Sequence, residues 1–248
     1  MSGDVSKALD EFVTERSARK DSTLQSIDEL TPILEYLTEN RESIGVIAAI
    51  GSGEGTFAAF LGELLDAAEV HAIDVDEESL RLANNKGLKT HVVDVERNPL
   101  PLADGSVDLI VSLGLFEHLT WYDGLLEEFK RVLSTVGLAL FALPNMAGWT
   151  NRLSLLTGHQ PRNVEFSKRK SFGIMDAYGT ARTVGHVHTA TVGALEEYLE
   201  YHDFDIIDTV GLHPYQEGRL VPLVDKLVSR RPSLCRRFAV LGQYQPDR

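Results

Sequence analysis

Three groups of residues in this chain have the types and spacing for chemistry. The first is Gly51-Ser52-Gly53-Glu54-Gly55, with glycine at alternate positions directly after the apolar run Ile44 to Ile50. Glycine has no Cβ, so such a turn lets backbone amides come close to a ligand, although a strand running into a helix through glycine is also an ordinary α/β connection. The second is Asp74, about twenty residues further on at the end of the short apolar stretch Glu69 to Ile73. A carboxylate there can accept hydrogen bonds from both hydroxyls of a ribose, and the alternative task of capping the next helix falls more naturally to Asp76, just before Glu77. The third is a set of histidines: His118 beside Glu117 after another apolar run, and His186 and His188 further along. Imidazole takes up a proton near neutral pH, which makes each a candidate base, with His118 first and a helix-start contact as its structural alternative.

These residues need a frame that brings distant stretches to one edge. The pattern supplies it as alternating strands and helices. Strands are expected at 44–50, 69–73, 90–93, 107–113 and 138–145, with helices at 56–65, 77–85 and 122–133 between them, and Ser134 to Gly137 closing the last helix. A strand at 205–210, a helix at 219–229 and a strand at 237–244 follow a helix at 191–201. The reading is an α/β fold: a Rossmann-like, doubly wound seven-stranded sheet, mostly parallel, with helices on both faces and ligands at the carboxyl ends of its strands. Before the first strand, helical patterns at 5–19 and 24–39 are expected to cover the cleft or a sheet face, with Thr31-Pro32 as a kink or new start. We read 1–248 as a single domain, with 1–43 as a helical cover and 146–188 as an insertion on the substrate side.

The motifs together resemble the class I S-adenosylmethionine-dependent methyltransferases, in particular a group whose fourth-strand region ends in Glu-His-Leu. The matching residues are Gly51 to Gly55, Asp74, Asp94, Asp108-Leu109-Ile110-Val111 with Glu117-His118-Leu119, and Arg131-Val132-Leu133 before Gly137; the resemblance resumes at Gly185 to Thr189. It implies S-adenosylmethionine as cofactor and a last strand inserted antiparallel beside the fifth. It further implies that Gly51, Ser52, Gly53 and Gly55 line the methionine part, that Asp74 holds the ribose, and that Asp94 and Val95 contact the adenine, with Val75 and Leu113 as further cofactor-binding residues. Two departures stand out. Relatives carry an acid two positions before the first glycine, where this chain has Ala49, and metal-dependent relatives carry Glu three positions before the Glu-His pair, where it has Gly114. No metal is therefore expected.

Composition narrows the partners. The formal charge of −13 argues against general nucleic-acid binding, and an acidic surface with 16 arginines and 8 lysines suits a salt-rich medium. No apolar run reaches membrane-spanning length, the N-terminal residues lack a signal-peptide pattern, and the single cysteine, Cys235, excludes an internal disulfide; a cytoplasmic protein is expected. Within 146–188 the balance reverses: Arg152, Arg162, Lys168, Arg169, Lys170 and Arg182 face only Glu165 and Asp176, interleaved with aromatic residues and histidines. A solvated loop would account for this, and so would a site for an anionic small molecule. The expected function is methyl transfer to an oxygen of a small anionic acceptor, such as a uronic acid or glycan precursor. A nicotinamide-dependent oxidoreductase and a non-catalytic cofactor-binding regulator are the alternatives. At 219–229, Leu220, Leu223, Val224 and Leu227 form a stripe beside Lys226, Arg230 and Arg231; packing on the core is expected, with peripheral membrane contact as the alternative.

Overall fold

The computed structural model describes residues 12, 27–175, 183–213 and 220–246. Its centre is one seven-stranded sheet: β1 (Val46–Ile50), β2 (Glu69–Asp74), β3 (Lys89–Val92), β4 (Val107–Leu113), β5 (Leu133–Pro144), β6 (Phe204–Leu212) and β7 (Arg237–Tyr244), in the order β3-β2-β1-β4-β5-β7-β6. The first five strands are parallel neighbours, and β7 pairs antiparallel with both β5 and β6. The inserted antiparallel last strand expected from the resemblance is thus present.

The continuous apolar character of β1 follows from burial on both faces. Ile47 and Ala49 join a cluster with α1 (Ile27–Glu39), α2 (Thr56–Leu65) and α3 (Glu77–Asn84), in which Leu30, Ile33, Leu34, Leu37 and Phe60 are buried. Ala48 and Ile50 point the other way, into a cluster with α4 (Asp123–Val132) and α6 (Val192–Tyr201) built around Phe116, Phe129, Phe141, Phe204 and Phe238. Each such buried ring contributes roughly 1.5–3 kcal/mol relative to exposure. The helix expected at 24–39 therefore covers a sheet face, with Pro32 inside it. The helix expected at 5–19 lies outside the described residues, apart from Phe12, which packs edge-on against Phe60 at 5.5 Å.

Polar side chains fix the sheet's open ends. Asp108 Oδ2 accepts from the amides of Gly45 and Val46, both at 2.9 Å, which ties the start of β4 to the entry of β1. Arg131 donates to the carbonyls of Leu100 and Leu102 and to Asp104 and Glu128, clamping the irregular 94–106 connection onto α4.

The structure corrects three expectations. Ser134 to Val136 do not close a helix; β5 begins at Leu133, which pairs with Val107, and a register shift follows before Leu138 pairs with Leu109. A Cβ on Gly137 would lie 2.8 Å from the Leu133 side chain and 3.0 Å from the Ser134 carbonyl, so this irregular start needs glycine. A further helix, α5 (Trp149–Leu156), not expected from the sequence, stands inside the 146–188 insertion. Finally, α7 (Leu220–Val228) does not bury its leucine stripe: Leu223 and Leu227 are exposed, and Asp225 is the buried residue. Asp225 accepts from Trp149 Nε1 at 2.8 Å and from Arg236 Nη2 at 2.6 Å, so polar contacts hold this helix.

Candidate functional site

The carboxyl ends of β1, β2, β3 and β4 lie side by side and are stitched together by backbone groups. The amides of Gly51 and Ser52 both donate to the Ile73 carbonyl, at 2.8 and 3.1 Å. Gly53 donates to Asp74 Oδ2 at 2.8 Å, and the Asp76 amide donates to Asp74 Oδ1 at 3.0 Å, leaving each carboxylate oxygen with further acceptor capacity. Val93 donates to the Asp74 carbonyl, joining the tip of β3. Asp76 caps α3 through the Glu78 amide, as the sequence suggested.

The three glycines divide their tasks. All have positive φ, at 69°, 51° and 68°. An added Cβ on Gly51 would meet the Leu115 side chain at 3.0 Å and one on Gly55 would meet Leu88 at 2.5 Å, so these two are needed for packing. A Cβ on Gly53 would meet nothing within 4 Å: this side of the turn is open to an approaching ligand. Val75 is exposed beside Asp74, Leu113 is half-buried, and Asp94 and Val95 sit half-buried at the tip of β3. Asp94 Oδ1 accepts from the Glu96 amide and Oδ2 lies 3.4 Å from Arg97 Nε. Ala49 is different. It is buried beside Ala72 and Val111 in register and supplies no polar group. An open glycine cradle with a carboxylate at its rim fits a ribose-bearing cofactor; the amino-group contact made by an acid in relatives has no counterpart at position 49.

Next to this rim stands the turn Phe116–His118, anchored by Phe116, whose ring packs against Tyr122, Phe129 and Phe141. Glu117 is 1% exposed, and burial raises its pKa while Arg237 opposes the rise. Its Oε1 lies 3.8 Å from both Arg237 Nη2 and His186 Nε2. His186 is buried, and its pKa is pushed down to about 4, chiefly by desolvation and then by His118, so it is a neutral imidazole at neutral pH. His118 is exposed; its Nδ1 lies 3.2 Å from the Gly185 carbonyl and its ring stands edge-on to His186 at 4.8 Å. Glu117, His118 and His186 each turn one ligand atom to within 4.8 Å of the others. His188 does not join them: its Nε2 lies 3.2 Å from the Thr120 carbonyl and its ring rests on Tyr122. Two of the three candidate bases thus meet, and the sequence did not pair His186 with Glu117, because the 68 residues between them hide a contact made only through the fold.

Within the 146–188 segment, residues between 160 and 174 together with Val184 line a cavity of about 220 Å³, with Arg162, Glu165, Phe166, Lys170 and Phe172 among them. Phe166 and Phe172 stack at 5.9 Å, and the Lys170 ammonium lies 6.0 Å from the Phe172 ring. Lys168 and Arg169 are exposed and outside this lining. Arg152 is also elsewhere: its Nε donates to the Ala147 carbonyl at 2.6 Å and its Nη2 to Ser233, which fastens α5 to the C-terminal segment. Arg182, Asp176 and Tyr178 lie outside the described residues. Of the basic set read in the sequence, Arg162 and Lys170 are the members at the cavity, and Glu165 joins them there. Glu165 stood out in the sequence as one of two acids in a basic stretch.

Comparison with known proteins agrees with this frame. Residues 48–141 match the family model described as a methyltransferase domain. A malonyl-[acyl-carrier protein] O-methyltransferase from Geobacter sulfurreducens is 33% identical over 100 residues, covering 39% of this chain and 38% of that protein. A probable S-adenosylmethionine-dependent methyltransferase from Mycobacterium tuberculosis is 33% identical over 95 residues, covering 38% and 34%. The chain thus spans little more than a third of the length of these relatives. A crystal structure of a methyltransferase of the same cofactor class from Archaeoglobus fulgidus superposes with a TM-score of 0.55 at 16% identity, covering 94% of this chain and 99% of that one, a likeness of fold. Residues 48–141 thus match a methyltransferase domain, set in a fold shared with S-adenosylmethionine-dependent methyltransferases of known structure.

Proposed function

We propose that this chain methylates an oxygen of a small, carboxylate-bearing acceptor. S-adenosylmethionine supplies an electrophilic methyl group, so the protein's task is mainly to orient the two reactants. Asp74 would hold the ribose hydroxyls, Gly51 to Gly55 would border the methionine part, and Asp94 with Val95 would meet the adenine. The acceptor would sit in the cavity of the 146–188 segment, its anionic group toward Arg162 and Lys170 and its apolar part against Phe166 and Phe172.

The observation that carries this reading is the continuity between cavity and histidine turn. The Glu165 carboxylate, at the cavity wall, accepts from the amides of Val184 and Gly185, and the Glu165 amide donates to the His186 carbonyl. The same short stretch places the Gly185 carbonyl against His118. A carbonyl only accepts, so His118 Nδ1 is the donor in this contact, and Nε2 is the nitrogen left to face an acceptor. A hydroxyl acceptor could lose its proton there; a carboxylate acceptor needs no base. The name of the Geobacter relative, an O-methyltransferase, supports oxygen as the receiving atom. Uronic acids and acidic glycan precursors belong to this acceptor class.

The test is transfer from methyl-labelled S-adenosylmethionine to a panel holding a malonyl thioester, glucuronate, a sugar-nucleotide uronate and their neutral or amine counterparts. We expect label in an acidic acceptor as an O-methyl group, with KM for that acceptor rising about tenfold in Lys170→Ala, a charge-assisted contact of roughly 1.5 kcal/mol, while cofactor affinity holds. Turnover of amine or neutral acceptors alone, indifferent to Lys170, would overturn the proposal. Cofactor binding with no transfer to any acceptor would favour a regulatory protein.

A further inference from the structure

We infer that Glu117, His118 and His186 bind one divalent transition-metal ion through one carboxylate oxygen and two imidazole nitrogens. The first observation is convergence: three groups from two distant stretches bring ligand atoms to within 4.8 Å of one another, and the Glu117 Oε1 to His186 Nε2 separation is already 3.8 Å. Metal bonds of about 2.0–2.2 Å place tetrahedral ligand atoms roughly 3.3–3.6 Å apart, so closing the set asks for side-chain shifts of about an ångström. His118, exposed and rotatable, can make most of that movement.

The second observation is orphaned polarity. Glu117 Oε2 is buried and has no hydrogen-bond partner, in a residue that is 1% exposed. A buried carboxylate oxygen left so costs free energy that a structure seldom tolerates without a purpose. Arg237 offsets this only in part, since its Nη2 lies 3.8 Å from Oε1, beyond hydrogen-bonding distance, and its side chain is 31% exposed. A cation beside Glu117 would take over that role, with Arg237 turning to solvent.

The third observation is chemical fit. The Gly185 carbonyl beside His118 Nδ1 is the kind of outer contact that orients a ligating imidazole. Two histidines and one carboxylate suit Zn²⁺, Fe²⁺, Mn²⁺ or Co²⁺ and leave coordination positions open. A carboxylate acceptor needs no base, which leaves this cluster without a task in proton transfer; a metal there could hold acceptor oxygens next to the cofactor rim. The proposed ligand set does not use position 114, where glycine was read in the sequence as the sign of no metal. That last role rests on the methyl-transfer reading, whereas binding of the ion does not.

The experiment uses the full chain, stripped with a chelator and dialysed against Zn²⁺, with bound metal measured by elemental analysis and Co²⁺ uptake followed by visible absorption. We expect one equivalent of Zn²⁺ per chain and ligand-field bands with Co²⁺. His118→Ala, a surface change, should keep the circular dichroism and melting temperature of the parent and weaken Zn²⁺ at least tenfold; His186→Gln is the second variant. Failure of the stripped parent to bind Zn²⁺, or undiminished Zn²⁺ in folded His118→Ala and His186→Gln, would overturn the assignment, whatever the outcome of the methyl-transfer assay. The stacked pair His71 and His91, with Glu69 at 3.3 Å from His71, is where undiminished metal would be sought.

Discussion

Asp74 and Gly53 are joined by a hydrogen bond of 2.8 Å from the glycine amide to Oδ2, so the residue expected to hold the ribose also sets the shape of the cradle. Replacing Asp74 by Ala removes both functions. We predict weaker S-adenosylmethionine binding by about 1.5–3 kcal/mol, the scale of hydrogen bonds to a charged group, with a modest loss of melting temperature. Calorimetric titration of the folded variant reads this directly, and unchanged affinity would remove Asp74 from the site.

Gly53 and Gly55 should respond oppositely to alanine. At Gly55 the new Cβ would collide with Leu88 and Ala83, and the expected result is destabilisation by about 1–3 kcal/mol in urea unfolding. Gly53→Ala meets open space and pays only for its left-handed backbone, roughly 1–2 kcal/mol, while losing cofactor affinity because the methyl group stands in the approach. Equal effects of the two changes on binding would contradict the division of tasks.

Ala49→Glu tests whether the acid found in relatives can be restored. Position 49 is 4% exposed and belongs to an apolar cluster with Ile47, Leu109 and Val111, so the carboxylate would be buried without an evident partner. We expect a loss of at least 2 kcal/mol and no gain in cofactor affinity. Tighter cofactor binding with retained stability would show that the site still has room for the acid.

Cys235 gives a prediction in pH. It is fully buried, and desolvation pushes its thiol up to about 11. The folded state therefore keeps a proton that the unfolded chain releases near its ordinary value, so this group's contribution to stability is complete below about pH 8.5 and falls as pH rises toward 11. Alkylation by iodoacetamide at pH 8 should be slow in the native protein and fast in urea; rapid native labelling would contradict the burial.

Much of this could be read in the residues alone, for a physical reason. Strands buried on both faces are continuous apolar runs, so β1, β4 and β7 stood out, and Gly51 to Gly55 follow β1 directly, while Asp74 and Asp94 stand at or just past the ends of the less buried β2 and β3. What escaped depended on contacts between distant stretches. The bulged start of β5 is set by Leu133 pairing with Val107, and α7 is held by Asp225 meeting Trp149 and Arg236, so its leucine periodicity pointed to the wrong face. The basic residues of 146–188 were equivalent by charge, and only folding separates Arg152, spent on backbone carbonyls, from Arg162 and Lys170 at the cavity.

The central claim, a glycine rim and Asp74 serving S-adenosylmethionine, is tested most directly by calorimetric titration of the intact chain with S-adenosylmethionine and, separately, with NADH. We predict saturable one-site binding of S-adenosylmethionine, reduced at least tenfold in Asp74→Ala, and no heat with NADH. Binding of NADH in preference to S-adenosylmethionine, or S-adenosylmethionine binding that ignores both Asp74 and Gly53, would contradict it.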